Sequence, residues 1–171
     1  MTPAARLQAA VEILDEVIAS SRENGPPADS ITTRYFKTRR YAGSGDRRAV
    51  RELVFRAIRR SAEAPASGRA AVIGLAADDA ELAPLFGEGR GPEPIGEQEK
   101  AAPASLVPEW IIPELSPLVG QDEWPALLER APLDVRANAA RTDRDALLAD
   151  LPTARPTPHS PWGLRLAADS R

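Results

Sequence analysis

The stretch that most narrows the folding choices is residues 41–60, YAGSGDRRAVRELVFRAIRR. Gly43 and Gly45 permit a tight turn, and Ser44 can cap the free N–H groups of a helix that follows. Asp46 then falls in the first turn of that helix and Arg59 and Arg60 in its last, so each charge meets the favourable end of the helix dipole. Val50, Leu53, Val54, Ala57 and Ile58 recur at helical spacing and make one apolar stripe. Arg47, Arg48, Arg51, Arg56 and Arg59 fall beside or opposite it. Such a segment is a packed helix with a dense basic surface.

Further helices are expected on both sides. Thr2-Pro3 is a helix start, with Thr as cap and Pro in the first turn. Leu7, Ala10, Val11, Leu14, Val17 and Ile18 mark one face up to about Ser21, and Gly25-Pro26-Pro27 breaks the helix. Asp29 is placed to cap a second helix with Ile31, Tyr35 and Phe36 inward and Lys37, Arg39 and Arg40 at its end. Ser67 caps a helix carrying Val72, Ile73, Leu75 and Ala76. Asp78 with Glu81 reads as a capping box for a short helix holding Leu82, Leu85 and Phe86, stopped at Gly87. Residues 87–103 read as a long surface loop. Leu106, Trp110, Ile111 and Leu115 suggest a helix interrupted or kinked at Pro113, and Asp122 a cap for a last helix with Trp124, Leu127 and Leu128.

At Pro132 the pattern changes. Leu133, Val135 and Ala137 alternate with polar residues, which predicts a strand. Thr142 would cap a helix with Leu147, Leu148 and Leu151, and Leu164-Arg165-Leu166 a second strand beyond a proline-rich connector. Two strands are too few for a stable sheet, so this unit is expected to be part of a larger domain.

Composition bounds the function. The chain has 171 residues, 43% of them hydrophobic, which suffices for a core, and no apolar run reaches the roughly eighteen residues of a membrane span. No signal peptide is evident at Met1-Thr2-Pro3, and a cytoplasmic location is expected. The absence of cysteine excludes disulfides, thiolate metal sites and a cysteine nucleophile from these residues. The net charge of −3 conceals an asymmetry: residues 1–60 hold 12 Lys and Arg against 7 Asp and Glu, and residues 61–130 hold 4 against 13. The basic third is the candidate surface for a polyanion.

The order of elements and the phrases YAGSGDRRAVRELVFRAIRR, PEWIIPEL and ERAPLDVRANAARTDRDALLADLP resemble the N-terminal part of bacterial small-subunit ribosomal RNA cytosine-C5 methyltransferases of the RsmB (Sun/Fmu) family. That resemblance implies a mainly α chain, with a NusB-like helical bundle at residues 1–130 followed by the first strand–helix–strand of a small α/β domain at residues 132–171. It implies that the bundle positions ribosomal RNA for a catalytic domain lying C-terminal to this chain. The family's nucleophile and product-release residues are cysteines, and its S-adenosylmethionine sits on a Gly-rich strand-to-helix turn. Neither feature is present here, so no catalytic or cofactor residue is assigned, and S-adenosylmethionine is expected only of the intact protein.

The RNA contacts expected are Lys37, Arg39, Arg40, Arg47, Arg48, Arg51 and Arg56, within a cluster that also includes Arg34, Arg59 and Arg60. The competing interpretation is a solvated helix face, with pairs such as Arg48–Glu52 or Arg56–Glu52, and with Arg59 paired to an acid of a neighbouring helix. Tyr41 and Phe55 are candidates to stack on bases, whereas Tyr35 fits the core. His159 stands alone among prolines and reads as a loop histidine, so no metal is expected. Asp78-Asp79 and Asp122-Glu123 read as caps, and Trp110, Trp124 and Trp162 as packing residues, Trp162 partly exposed. Two alternative functions stand beside this one: a free-standing NusB-like antitermination or ribosome-biogenesis factor, and a helical protein-interaction module.

Overall fold

The computed structural model describes residues 1–128 and 131–167. The chain separates into two compact units, Met1–Leu128 and Glu129–Arg171. The expected end of the bundle at Arg130 and the last four residues of the C-terminal unit lie outside the described residues. The first unit is helical: α1 (Pro3–Arg22), α2 (Ala28–Lys37), α3 (Ser44–Arg60), α4 (Gly68–Asp78) and the short α5 (Trp124–Leu128).

α1, rather than α3, is the hub. Thr2 caps it as the sequence implies, its hydroxyl accepting the Ala5 N–H at 3.2 Å. Its buried residues are not confined to one stripe: Leu7, Ala9, Ala10, Ile13 and Leu14 are all at most 2% exposed, because α2, α3 and α4 each pack against it. Ile13 and Ala9 lie outside the single face read from the sequence, and they are the positions a surrounded helix adds. α2 starts after Pro27, with no side-chain cap. Asp29 sits in its first turn and pairs with Arg51 of α3 instead of capping. Ile31, Tyr35 and Phe36 are buried as expected.

α3 begins one residue earlier than a Ser44 cap would place it. Gly43 is the N-cap, and its N–H donates to Asp46 Oδ2 at 3.0 Å. Val50, Val54 and Ala57 are buried, Leu53 is partly buried, and Ile58 is 36% exposed because it lies round the helix from the centre of that stripe. Ser67 caps α4 through the Ala70 N–H. The expected capping box at Asp78 does not form. Asp78 ends α4, and the next segment makes only a 3-10 turn at Ala83–Leu85, where Pro84 leaves no room for a longer helix. Residues 87–103 carry no helix or strand, yet they are fastened to the bundle. Arg69 of α4 grips Glu99 through two bonds of 2.5 and 2.7 Å, and the Ala102 N–H donates to the Ala70 carbonyl at 2.9 Å.

Beyond it, Glu109–Glu114 is 3-10 rather than α, with Pro113 inside. Trp110 is 71% exposed, which corrects its assignment to packing. A 3-10 turn aligns side chains three apart, so apolar residues spaced for an α-helix do not fall on one face of it.

The second unit contains β1 (Asp134–Arg136), α6 (Arg144–Asp150), β2 (Arg155–Pro156) and β3 (Gly163–Arg165). The sheet is antiparallel in the order β1-β3-β2. The proline-rich connector thus supplies a third strand, so the objection that two strands are too few does not apply. α6 is capped by Asp143, not Thr142: its carboxylate accepts the Ala146 N–H at 2.8 Å. Leu164 on the central strand is fully buried, and Arg165 pairs with Asp134 across the ladder at 2.7 and 2.8 Å.

Two consequences are measurable. α4 meets α1 at Gly68, whose N–H donates to Asp15 Oδ1 at 2.7 Å. A Cβ there would run into the Val11 carbonyl and come within 2.8 Å of the Asp15 nitrogen. Gly68→Ala is therefore expected to cost about 1–3 kcal/mol in urea unfolding, the usual penalty for overpacking. The second concerns pH. Arg69 and the Gly96 N–H hold the Glu99 carboxyl down to about 2. Its folded value lies below its unfolded one, so the stability it adds is complete above the ordinary glutamate range and is lost as pH falls toward 2. The difference in Tm between the parent chain and Glu99→Gln should accordingly stay level above about pH 5 and shrink from there toward pH 2.

Candidate nucleic-acid interface

The C-terminal end of α2, the turn of residues 38–43 and the first turns of α3 form one corner, and most of the expected RNA contacts lie on it or on α3. The helices bring them together, but their guanidinium groups are in different states. Arg39 is turned inward. It lies 3.6 Å over the Tyr35 ring and donates to Glu12 Oε2 at 3.4 Å and to the Tyr35 carbonyl at 3.2 Å. Arg47 donates to the Ala42 carbonyl at 3.0 Å, bracing the turn, and stands 6.0 Å from the Phe36 ring centre. Arg51 pairs with Asp29, and Arg56 with Asp79 at 2.8 Å. Lys37, Arg40 and Arg48 are exposed and have no hydrogen-bond or ion-pair partner among the described residues.

The rest of the basic cluster is also internally committed. Arg34 pairs with Glu16, Arg59 with Glu52 of its own helix at 3.2 Å, and Arg60 with Asp78 at 2.6 Å. Glu52 therefore belongs to Arg59 rather than to Arg48 or Arg56. Within the cluster, Arg34, Arg39, Arg51, Arg56 and Arg60 each reach an acid of another segment. Asp78 and Asp79 serve these arginines, which is why both carboxyls are held below the usual carboxylate range: hydrogen bonds from Arg60 and Arg56, respectively, are the main cause. In the sequence alone these acids read as helix caps. The signal available was their place at a helix C-terminus, where caps are not carboxylates and two anions need cations nearby.

Among the aromatics, Tyr35 is buried, and its hydroxyl donates to Glu12 at 2.6 Å. Burial, reinforced by that carboxylate, drives its acidity far down. Phe55 is half-buried with Arg51 5.8 Å from its ring centre, and Tyr41 is 72% exposed at the tip of the corner. Asp46 holds the base of the corner. It accepts from the Met1 ammonium at 3.1 Å, from the Gly43 N–H at 3.0 Å and from Arg6 at 2.9 Å, and these bonds, the ammonium's foremost, lower its carboxyl below the ordinary range.

Among the described residues one strand-to-helix turn connects β1 to α6. It reads ANAART and contains no glycine. Among the described residues no three His, Asp or Glu side chains gather to hold a metal, and no helix is long and apolar enough to cross a membrane. His159 is an exposed loop residue, and Trp162 is 42% exposed. No family model, curated protein or solved structure matches the chain.

The contrast between committed and free cations has a direct test. Arg60 donates to the Ala102 carbonyl at 2.5 Å as well as to Asp78. Arg60→Ala is expected to lower unfolding stability by about 1–2 kcal/mol through the bond to that carbonyl. The water-exposed Asp78 pair adds little. Arg48→Ala should stay within about 0.5 kcal/mol of the parent.

Proposed function

We propose that the first unit is an RNA-binding module that positions ribosomal RNA, as the N-terminal region of an S-adenosylmethionine-dependent cytosine-C5 methyltransferase and not catalytic by itself. The observation that supports it best is the set of free cations, Lys37, Arg40 and Arg48, on one exposed corner beside Arg47 and Tyr41. Free ammonium and guanidinium groups meet phosphate without first giving up an internal partner, and an exposed tyrosine next to them offers a stacking face. The methyltransferase part of the reading comes from the sequence resemblance. It carries with it a cytoplasmic setting, a NusB-like bundle, a catalytic domain as partner, and cofactor and cysteines supplied by that domain.

A second reading, a helical protein-interaction module, draws on a different surface. Trp110, Leu118 and Leu127 are 71%, 89% and 57% exposed. Large apolar side chains left in water mark contact surfaces more often than phosphate-binding ones.

The distinguishing measurement is binding of a small-subunit ribosomal RNA fragment over a salt series. Replacing Lys37, Arg40 and Arg48 together by Ala should flatten the slope of log affinity against log salt by about 2–3, one ion's release for each lost phosphate contact. Arg59→Ala, whose partner is Glu52, should leave the slope nearly unchanged. Absence of binding at low salt would remove the RNA reading and leave the apolar surface as the functional one.

A further inference from the structure

We propose that the groove beside this corner receives one unpaired guanine base of the bound strand, stacked on Tyr41 and paired through its donor edge to Glu12. The inference rests on the RNA reading and adds to it a base preference, which phosphate contacts cannot supply. The groove runs between the N-terminal half of α1, the α2–α3 turn and residues 88–90, and encloses about 770 Å3. That is within the range of about 300–1,000 Å3 occupied by small-ligand sites.

Its two sides differ in chemistry. On the α1 side the exposed Glu12 carboxylate accepts from Tyr35 Oη at 2.6 Å, from Gln8 Nε2 at 3.2 Å and, more loosely, from Arg39 at 3.4 Å. A carboxylate has about four acceptor positions, so one is open and the long Arg39 bond is readily exchanged for a second. An anion in the groove repels phosphate and selects a neutral group that donates. At the rim stand Tyr41, 72% exposed, and Arg90, exposed and without a partner among the described residues. These suit a base face and a backbone phosphate. Guanine alone presents two adjacent N–H donors on its Watson–Crick edge. Adenine and cytosine set a ring acceptor beside their amino group, and the uracil N–H lies between two carbonyls. Each of those would place a lone pair against the carboxylate.

The experiment is fluorescence anisotropy with two labelled uridine hexamers, one carrying a central guanosine and the other an adenosine in its place. The parent chain should bind the guanosine hexamer at least about fivefold tighter, and Tyr41→Ala should weaken it about tenfold, as loss of one base stack does. Glu12→Gln should abolish the preference between the hexamers, with circular dichroism confirming the fold. If Glu12→Gln unfolds, Tyr41→Ala at an exposed side chain and the preference of the parent chain still decide the matter. Equal binding of the two hexamers overturns the guanine assignment. An undiminished affinity in Tyr41→Ala overturns the groove as the site. Either result in a chain that still binds ribosomal RNA through Lys37, Arg40 and Arg48 leaves the RNA reading standing. Failure to bind any RNA removes both.

Discussion

Everything in the first unit depends on how closely α2, α3 and α4 can approach α1. That closeness comes from small residues. Ala4, Ala9 and Ala10 on α1 are almost fully buried, and Gly68 sets the start of α4 against the Val11 carbonyl. Larger side chains at these points would push the helices apart and open voids around Leu7, Ile13 and Val72, which have no exposure at all. With α1 enclosed, the ends of α2 and α3 have little freedom, and a turn of six residues joins them. Asp46 then fixes that turn from below by tying Gly43 and Arg6 to one carboxylate. The corner is therefore a rigid consequence of the core rather than a loop that happens to be basic.

The same rigidity sorts the charges. Counting residues gives the first sixty an excess of cations. Folding consumes much of it, because an arginine within reach of a carboxylate on the next helix pairs with it. Arg34, Arg51, Arg56 and Arg60 are matched in this way to Glu16, Asp29, Asp79 and Asp78. These pairs sit near water, and their worth lies more in orienting helices than in stability. What survives is a smaller patch than the sequence suggests. For a polyanion this is the relevant charge, since a paired arginine must be released before it can bind elsewhere.

The helices were legible in the sequence wherever a cap and a stripe agreed. Thr2-Pro3 with Leu7 and Leu14, and Ser67 with Val72 and Leu75, carried both signals and appear as expected. The errors share a cause. Local patterns describe one element at a time, whereas the outcome was set by contacts between elements. Asp29 looks like a cap until Arg51 is placed across from it. Asp78 resembles half of a capping box until Arg60 takes it. The single face read for α1 omitted Ile13 because nothing local says that a helix will be surrounded. Pro113 did announce an interruption, and there the segment is a 3-10 turn; Pro84, which the apolar spacing of Leu82, Leu85 and Phe86 hides, holds its segment to a 3-10 turn as well. In the second unit, Arg155–Pro156 carries no strand signal, and it pairs only because β3 offers an open edge. For the candidate site, residue type was legible and availability was not. Lys37, Arg40 and Arg48 cannot be told from Arg39, Arg51 and Arg56 until the acids are located.

Glu12 shows how a core and a site can share one group. Its carboxylate receives the buried Tyr35 hydroxyl on one side and faces the groove on the other, and Arg39 bridges the two by lying on the Tyr35 ring while it reaches Glu12. Tyr35 cannot turn without leaving the core cluster it shares with Phe36 and Leu7. The carboxylate is thus held in one orientation before any ligand arrives, and a partner that pairs with it need not supply the ordering energy. An acid on a mobile surface side chain would be a solvated charge with no direction. Placed between a buried phenol and an open groove, it has a fixed direction, and direction is what a hydrogen-bonding edge requires in order to be told from its neighbours.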